Sequence, residues 1–202
     1  MSHQVLFVYE DSLSKTVMEK ILKEFGSKFT PYKKICGHGF GYIKKNILNF
    51  NKAAQYSPIL VLTDLDNDPC APQKMNDWLA GYEKSSGLLF RIAVKEIESW
   101  ILADRNAFSS YFGCPMEKIS VSPDTLLDPK RDLILLVDKY SKKEIKLDVL
   151  PRKNDSIKQG PNYNARMEEF VLNNWDVSHA VIHSPSLQRT FLALKKYTHH
   201  VS

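Results

Sequence analysis

Long apolar runs are missing from this 202-residue chain. None approaches the roughly 20 residues that a bilayer-spanning helix needs. No secretory leader is expected either, because the stretch from Val5 to Tyr9 is too short for a signal core and runs straight into acidic residues. Cysteine is scarce. The three present, Cys36, Cys70 and Cys114, are odd in number and scattered, which argues against a disulfide framework and for reduced thiols in a cytoplasmic protein. Internal repeats and low-complexity linkers are also absent, so no solenoid or linker-rich architecture is expected.

What is present suits a folded globule. Hydrophobic residues make up 43% of the chain and charged residues 25%, enough to build a core, with disorder expected only over the last residues, 198–202. The formal net charge is +5 and the pI near 9.0, a balance that permits a nucleic-acid partner. Basic residues cluster at Lys33-Lys34, Lys44-Lys45, Lys130-Arg131, Lys142-Lys143 and Arg152-Lys153. Taken singly, each reads as a solvated face. A basic chain that concentrates carboxylates at strand ends points to a metal ion together with a polyanion.

Along the chain, Val5 to Tyr9 reads as a buried strand, followed by Glu10-Asp11 and a helix capped by Ser12 or Ser14 that stops at Gly26. Phe29 to Cys36 reads as a second strand and Tyr42 to Gln55 as a helix ended by Ser57-Pro58. Ile59 to Leu62 is the strongest strand signal, leading into Thr63-Asp64-Leu65-Asp66-Asn67-Asp68-Pro69. A helix over 73–82, a strand over 88–94 and a helical run over 95–104 follow. This alternation predicts an α/β fold with a mostly parallel sheet covered on both faces. From about Pro115 the pattern becomes helical. Asp124 to Tyr140 reads as a helix burying Leu126, Leu127, Leu133, Leu136 and Val137. Residues 148–160 read as irregular, and 163–173 and 187–197 as helices, the last capped by Ser184 or Ser186. The expected division is a core over 1–114 and a helical extension over 115–202 packed upon it.

Ligands of parallel sheets bind beyond the carboxyl ends of the strands, and there lie Glu10, Asp64, Asp66 and the pair Glu96 and Glu98. Two carboxylates two residues apart at a strand end repel each other unless a cation lies between them. Mg²⁺ takes oxygen ligands, commonly one or two carboxylates with water and phosphate. The bland alternative is a set of solvated turn aspartates. An EF-hand loop fails because Pro69 and Met75 stand where Gly and Glu are required. A receiver domain would use Asp64 as phosphoacceptor and Lys95 as its lysine, but needs a further strand between them. A haloacid-dehalogenase-like site would want its DxD near the first strand.

The order strand–Glu10, then strand–Asp64-x-Asp66, resembles the Toprim domain shared by topoisomerases, primases and the overcoming-lysogenisation-defect nucleases. The segment from Ile92 to Asp104 (IAVKEIESWILAD), with Gly160-Pro161-x-Tyr163-Asn164 and Ser184-Pro185-Ser186-Leu187-Gln188-Arg189, resembles small bacterial Toprim-like proteins. The resemblance implies a Mg²⁺ or Mn²⁺ site on Glu10, Asp64 and Asp66, with Glu98 and then Glu96 as the later acidic ligand. It implies phosphodiester hydrolysis of DNA or RNA, with Lys95 or Arg189 neutralising phosphate, and an ATPase partner in a phage-defence setting. One departure is plain: Asp11 stands where the Toprim pattern carries glycine.

Other residues carry bland readings beside sharper ones. Gly37-His38-Gly39-Phe40-Gly41 opens a helix and can cradle phosphate, though a plain strand–helix turn explains it better, and His38 is a candidate general acid or base. His179 and His183 flank Val181-Ile182, which reads as strand, so a zinc pair is not expected. Trp78, Trp100 and Trp175 read as core anchors within helical patterns. Arg152, Lys153 and Lys158, in a polar basic loop, are the first choice for nucleic-acid backbone contact. The leading expectation is a metal-dependent nuclease, followed by a non-catalytic module that binds nucleic acid or an ATPase, and then a phosphotransfer domain.

Overall fold

The structure, a computed structural model, describes residues 2–152 and 159–200. Its elements in chain order are β1 (His3–Tyr9), α1 (Ser12–Lys23), β2 (Phe29–Cys36), α2 (Phe40–Ala53), β3 (Ile59–Asp64), α3 (Ala71–Leu79) and β4 (Leu88–Ala93). There follow α4 (Glu98–Ala103), α5 (Arg105–Phe112), α6 (Pro129–Tyr140), α7 (Lys143–Val149), α8 (Tyr163–Asn173), α9 (Val177–His183) and α10 (Pro185–His200). The four strands form one all-parallel sheet in the order β2-β1-β3-β4. The chain therefore reverses its direction of travel between β1 and β3, which makes their carboxyl ends the switch point of the sheet.

Alternation along the strands divides the core in two. Val5, Phe7, Leu60, Leu62 and Leu89 face α1 and the later helices. Leu6, Val8, Ile59, Val61, Leu88 and Phe90 face α2 and α3. Strands buried on both faces read as continuous apolar runs, which is why VLFVY and ILVL stood out. The first of these clusters extends without a break from β1 through Trp100, Phe108, Leu133, Tyr163, Phe170 and Trp175 to Leu187 and Leu194. The helices after β4 thus cover one face of the sheet and share its core.

Several local expectations are corrected. The α1 cap is Asp11, whose Oδ1 accepts from the Ser14 amide at 2.8 Å, because Asp11 directly precedes the helix while Ser12 is already its first residue. The run over 95–104 is not helical from its start: Lys95 takes φ +62, and α4 begins at Glu98. Asp124 to Tyr140 is broken, with a 3₁₀ turn at Pro123–Thr125 before Pro129 starts α6; Leu127 is 89% exposed rather than buried. Lys143–Val149, left unassigned by its sequence, is helical. Val181-Ile182 lie in α9, not a strand, since Asp176 caps that helix through the Ser178 amide at 2.7 Å. Trp175 stands between α8 and α9, buried among the core residues. Among the described residues, no helix is long and apolar enough to cross a membrane.

Candidate functional site

Each carboxylate owes its place to the end of a strand. Glu10 follows β1, Asp64 closes β3, and Glu98 opens α4 after the turn that leaves β4. The turns beyond the strands are tied to one another: the Leu65 amide donates to Ala93 O at 2.8 Å, the Asp66 amide to Lys95 O at 2.8 Å, and the Gly39 amide to Glu10 O at 3.1 Å. His38 (φ +49), Asp66 (φ +53) and Lys95 (φ +62) all sit in the left-handed region, which costs a non-glycine residue about 1 kcal/mol or more. The carboxyl edge of the sheet is therefore held in sharp, strained turns.

Within this edge Glu10 is fixed by β3. Its Oε1 accepts from the Thr63 hydroxyl and from the Asp64 amide, the latter at 3.1 Å. Glu98 is buried, and its Oε1 accepts from the Tyr163 hydroxyl at 2.9 Å with Lys130 Nζ at 3.5 Å. Tyr163 stays a phenol and a donor, because burial and then the neighbouring Glu98 charge push its pKa far up. Asp64 is only half-buried as a residue, yet its Oδ1 is shielded from solvent and has no hydrogen-bond partner. Burial raises the Asp64 carboxyl well above its ordinary value, and the charges of Glu98, Glu10, Asp11 and Asp66 raise it further, in that order. Burial also raises Glu10 and Glu98, against the opposing pull of their hydrogen-bond partners. Asp64 is thus the carboxylate with the most repulsion and the least protein compensation.

Asp66 is held differently. Lys74, on α3, is 1% exposed. Its Nζ donates to Asp64 O at 2.6 Å and Leu65 O at 3.3 Å, and lies 3.4 Å from Asp66 Oδ2 and 3.0 Å from Asp68 Oδ2. The rings of Trp78 and Phe40 cover it at 4.9 and 5.7 Å. The sequence alone does not mark this lysine as an internal cation. The available signal was its position four residues before Trp78, on the same helical face.

The remaining site candidates separate. Glu96 Oε2 accepts from the Lys130 amide at 3.0 Å, at the N-terminus of α6, and burial followed by the Glu98 charge raises its pKa. Lys95 Nζ donates to Asp66 O at 3.4 Å, and Asp11 is occupied as the α1 cap. Arg189 lines a cavity of about 300 Å³ with Arg91 and Ser186, and none of the carboxylates line it. Arg152 lies beside Lys143 and Lys146 around a cavity of about 410 Å³; Lys153 and Lys158 lie outside the described residues. Cys36 Sγ, not a carboxylate, is the neighbour of His38 Nδ1, at 3.8 Å.

The three dispersed sequence patches meet at this site. Tyr163, from the second patch, bonds Glu98 of the first. Ser186, from the third, accepts from Trp100 Nε1 at 2.7 Å, and Asp124 binds the Ser184 hydroxyl and the Ser186 amide at 2.7 and 2.8 Å. Gly160 is buried where an added Cβ would fall 2.3 Å from Asp148 O. All-oxygen donors and an unpartnered, shielded Asp64 oxygen suit a hard divalent cation by their chemistry. Among the described residues, no three His, Cys, Asp or Glu side chains converge closely enough to enclose one. Comparison of the chain with family models, curated proteins and solved structures returned no match.

Proposed function

We propose that this chain is a metal-dependent nuclease of Toprim type, hydrolysing phosphodiester bonds in DNA or RNA through Glu10, Asp64 and Glu98, with Mg²⁺ or Mn²⁺ as cofactor. The observation that carries the reading is Asp64: a shielded carboxylate oxygen without a partner, pressed by Glu98 and Glu10 at the switch point of a parallel sheet. The protein leaves that repulsion uncompensated, and a divalent cation would neutralise it. When bound, the ion would polarise the phosphodiester and lower the pKa of an attacking water. Asp64 and Glu10 would hold it from β3 and β1, and Glu98 from α4. Thr63 and the Asp64 amide orient Glu10, and Tyr163 orients Glu98. Lys74 fixes Asp66 and the turn that carries it. Lys130, whose Nζ lies 3.5 Å from Glu98 Oε1, would offer its charge to a phosphate arriving there.

The chain's excess of basic residues, 28 against 23 acidic, favours a polyanionic substrate over a small metabolite. A phage-defence role with an ATPase partner in the cytoplasm belongs to the same reading, supported by the motif resemblance. The test is cleavage of plasmid DNA and single-stranded RNA with Mg²⁺ or Mn²⁺, comparing the wild type with Asp64→Ala/Asp66→Ala. Metal-dependent cutting lost in the double variant is expected. Equal cutting by both proteins would overturn the assignment of these residues.

A further inference from the structure

At the opposite end of the sheet lies a cavity of about 690 Å³ that the carboxylates do not touch. Ser57 and Pro58, before β3, and Ser86 and Gly87, before β4, form part of its wall, and α10 closes it. β3 is six residues long, so about 20 Å of strand separates the cavity from Asp64. The volume falls within the range of small-molecule sites, about 300–1,000 Å³. Gly87 helps shape it, since a Cβ there would meet Ala54 O at 2.1 Å.

Its ionisable lining is His3, Tyr56, Lys84, Arg91, Lys196 and Tyr197. Among the described residues, no acidic side chain lines it. Among the described residues, no carboxylate pairs with Lys84, Arg91 or Lys196. Lys84 Nζ donates to Ser85 O and Leu88 O, both at 3.0 Å, and Arg91 Nε to Phe90 O at 2.7 Å. Gly87 O and Ala93 O turn inward to β3, so by alternation Leu88 O and Phe90 O face the open edge of β4. The two basic residues therefore cap that edge. One of the five guanidinium N–H donors is spent in doing so, and the rest stay available. Burial, and then the Arg91 charge, lower the Lys84 pKa, as expected for cations gathered without a counter-ion. Tyr56, 86% exposed, stands at the rim.

We propose that this cavity is a second site, binding a nucleotide-class ligand whose phosphates pair with Lys84, Arg91 and Lys196 while Tyr56 stacks on its planar ring. Three cations lining one cavity with no carboxylate among its described lining select a multiply charged anion, and the arginine fork suits phosphate oxygens. The volume exceeds that of phosphate alone. The site stands apart from the nuclease reading and does not rest on it.

The test is calorimetric titration of the full chain with ATP and with pyrophosphate. The variants are Lys196→Glu, on an exposed stretch of α10, and the distant, charge-matched control Lys44→Glu. Saturable ATP binding that falls about tenfold or more in Lys196→Glu, as reversal of one charge-assisted contact predicts, and that is unchanged in Lys44→Glu and in Asp64→Asn, would bear the proposal out. No saturable ATP binding near about 1 mM, or equal loss in Lys196→Glu and Lys44→Glu, would overturn the site. Pyrophosphate bound as tightly as ATP would overturn its nucleotide class.

Discussion

Replacing Asp64 with Asn should stabilise the metal-free protein at neutral pH. The wild-type carboxylate keeps one shielded oxygen unpartnered and faces Glu98, Glu10, Asp11 and Asp66. Its pKa in the folded chain is raised, first by burial. A carboxyl raised on folding contributes stability that is fully present below the ordinary carboxylate range and is lost as pH climbs through its folded value. Glu10 and Glu98 are raised too and add with the same sign. Leaving a buried polar group unsatisfied costs about 1–3 kcal/mol, more when it is charged. Relief of about 2 kcal/mol in a chain of this size raises Tm by roughly 4–8 °C. Thermal unfolding in EDTA at pH 5 and pH 8 is the assay. The wild type should lose Tm between those two values, while Asp64→Asn should vary less and lie higher at pH 8. Adding Mn²⁺ should reverse the order, because a cation at a hundred times its Kd adds about 2.7 kcal/mol to the wild type. A lower Tm for Asp64→Asn in EDTA at pH 8 would refute the reasoning: the carboxylate would then be compensated by the protein itself.

Three further outcomes are expected. Lys74→Leu strands two loop carbonyls and frees Asp66 and Asp68, so urea unfolding should show a loss of about 1–3 kcal/mol; an unchanged midpoint would remove Lys74 from the turn's support. Tyr163→Phe removes a buried donor to Glu98 and should cost about 1–2 kcal/mol, a loss that Glu98→Gln should shrink when the two are combined, measured as a double-mutant cycle. Gly160→Ala forces a Cβ into backbone and should cost more than about 2 kcal/mol, read from the same urea curves.

The sheet was legible because its strands are buried on both faces and punctuated by Gly, Ser-Pro and acidic turns. VLFVY and ILVL could hardly pack any other way. The placement of Glu10 and Asp64 at strand ends followed from that alone. What the sequence concealed depends on long-range partners. Lys74 reads as one more solvated lysine until the Asp64 and Leu65 carbonyls are seen to converge on it. The start of the 95–104 segment reads as helix, since nothing local announces that the Lys95 carbonyl is held by the Asp66 amide. Leu127 reads as core by its periodicity, but Asp128 and Pro129 restart the helix beyond it and turn it outward.

The continuous apolar cluster has a consequence for how this chain is made. Val5 and Phe7 of β1 share it with Leu187 and Leu194 of α10, and the His3 and Tyr197 rings meet edge-on at 5.3 Å. A ribosome adding about 5–20 residues each second leaves roughly 10–40 s between the appearance of these partners. Throughout that interval the part of the sheet face that α10 finally buries lies bare, so this chain should depend on chaperones that shield apolar β-strands during translation far more than one whose neighbours in space are neighbours in sequence.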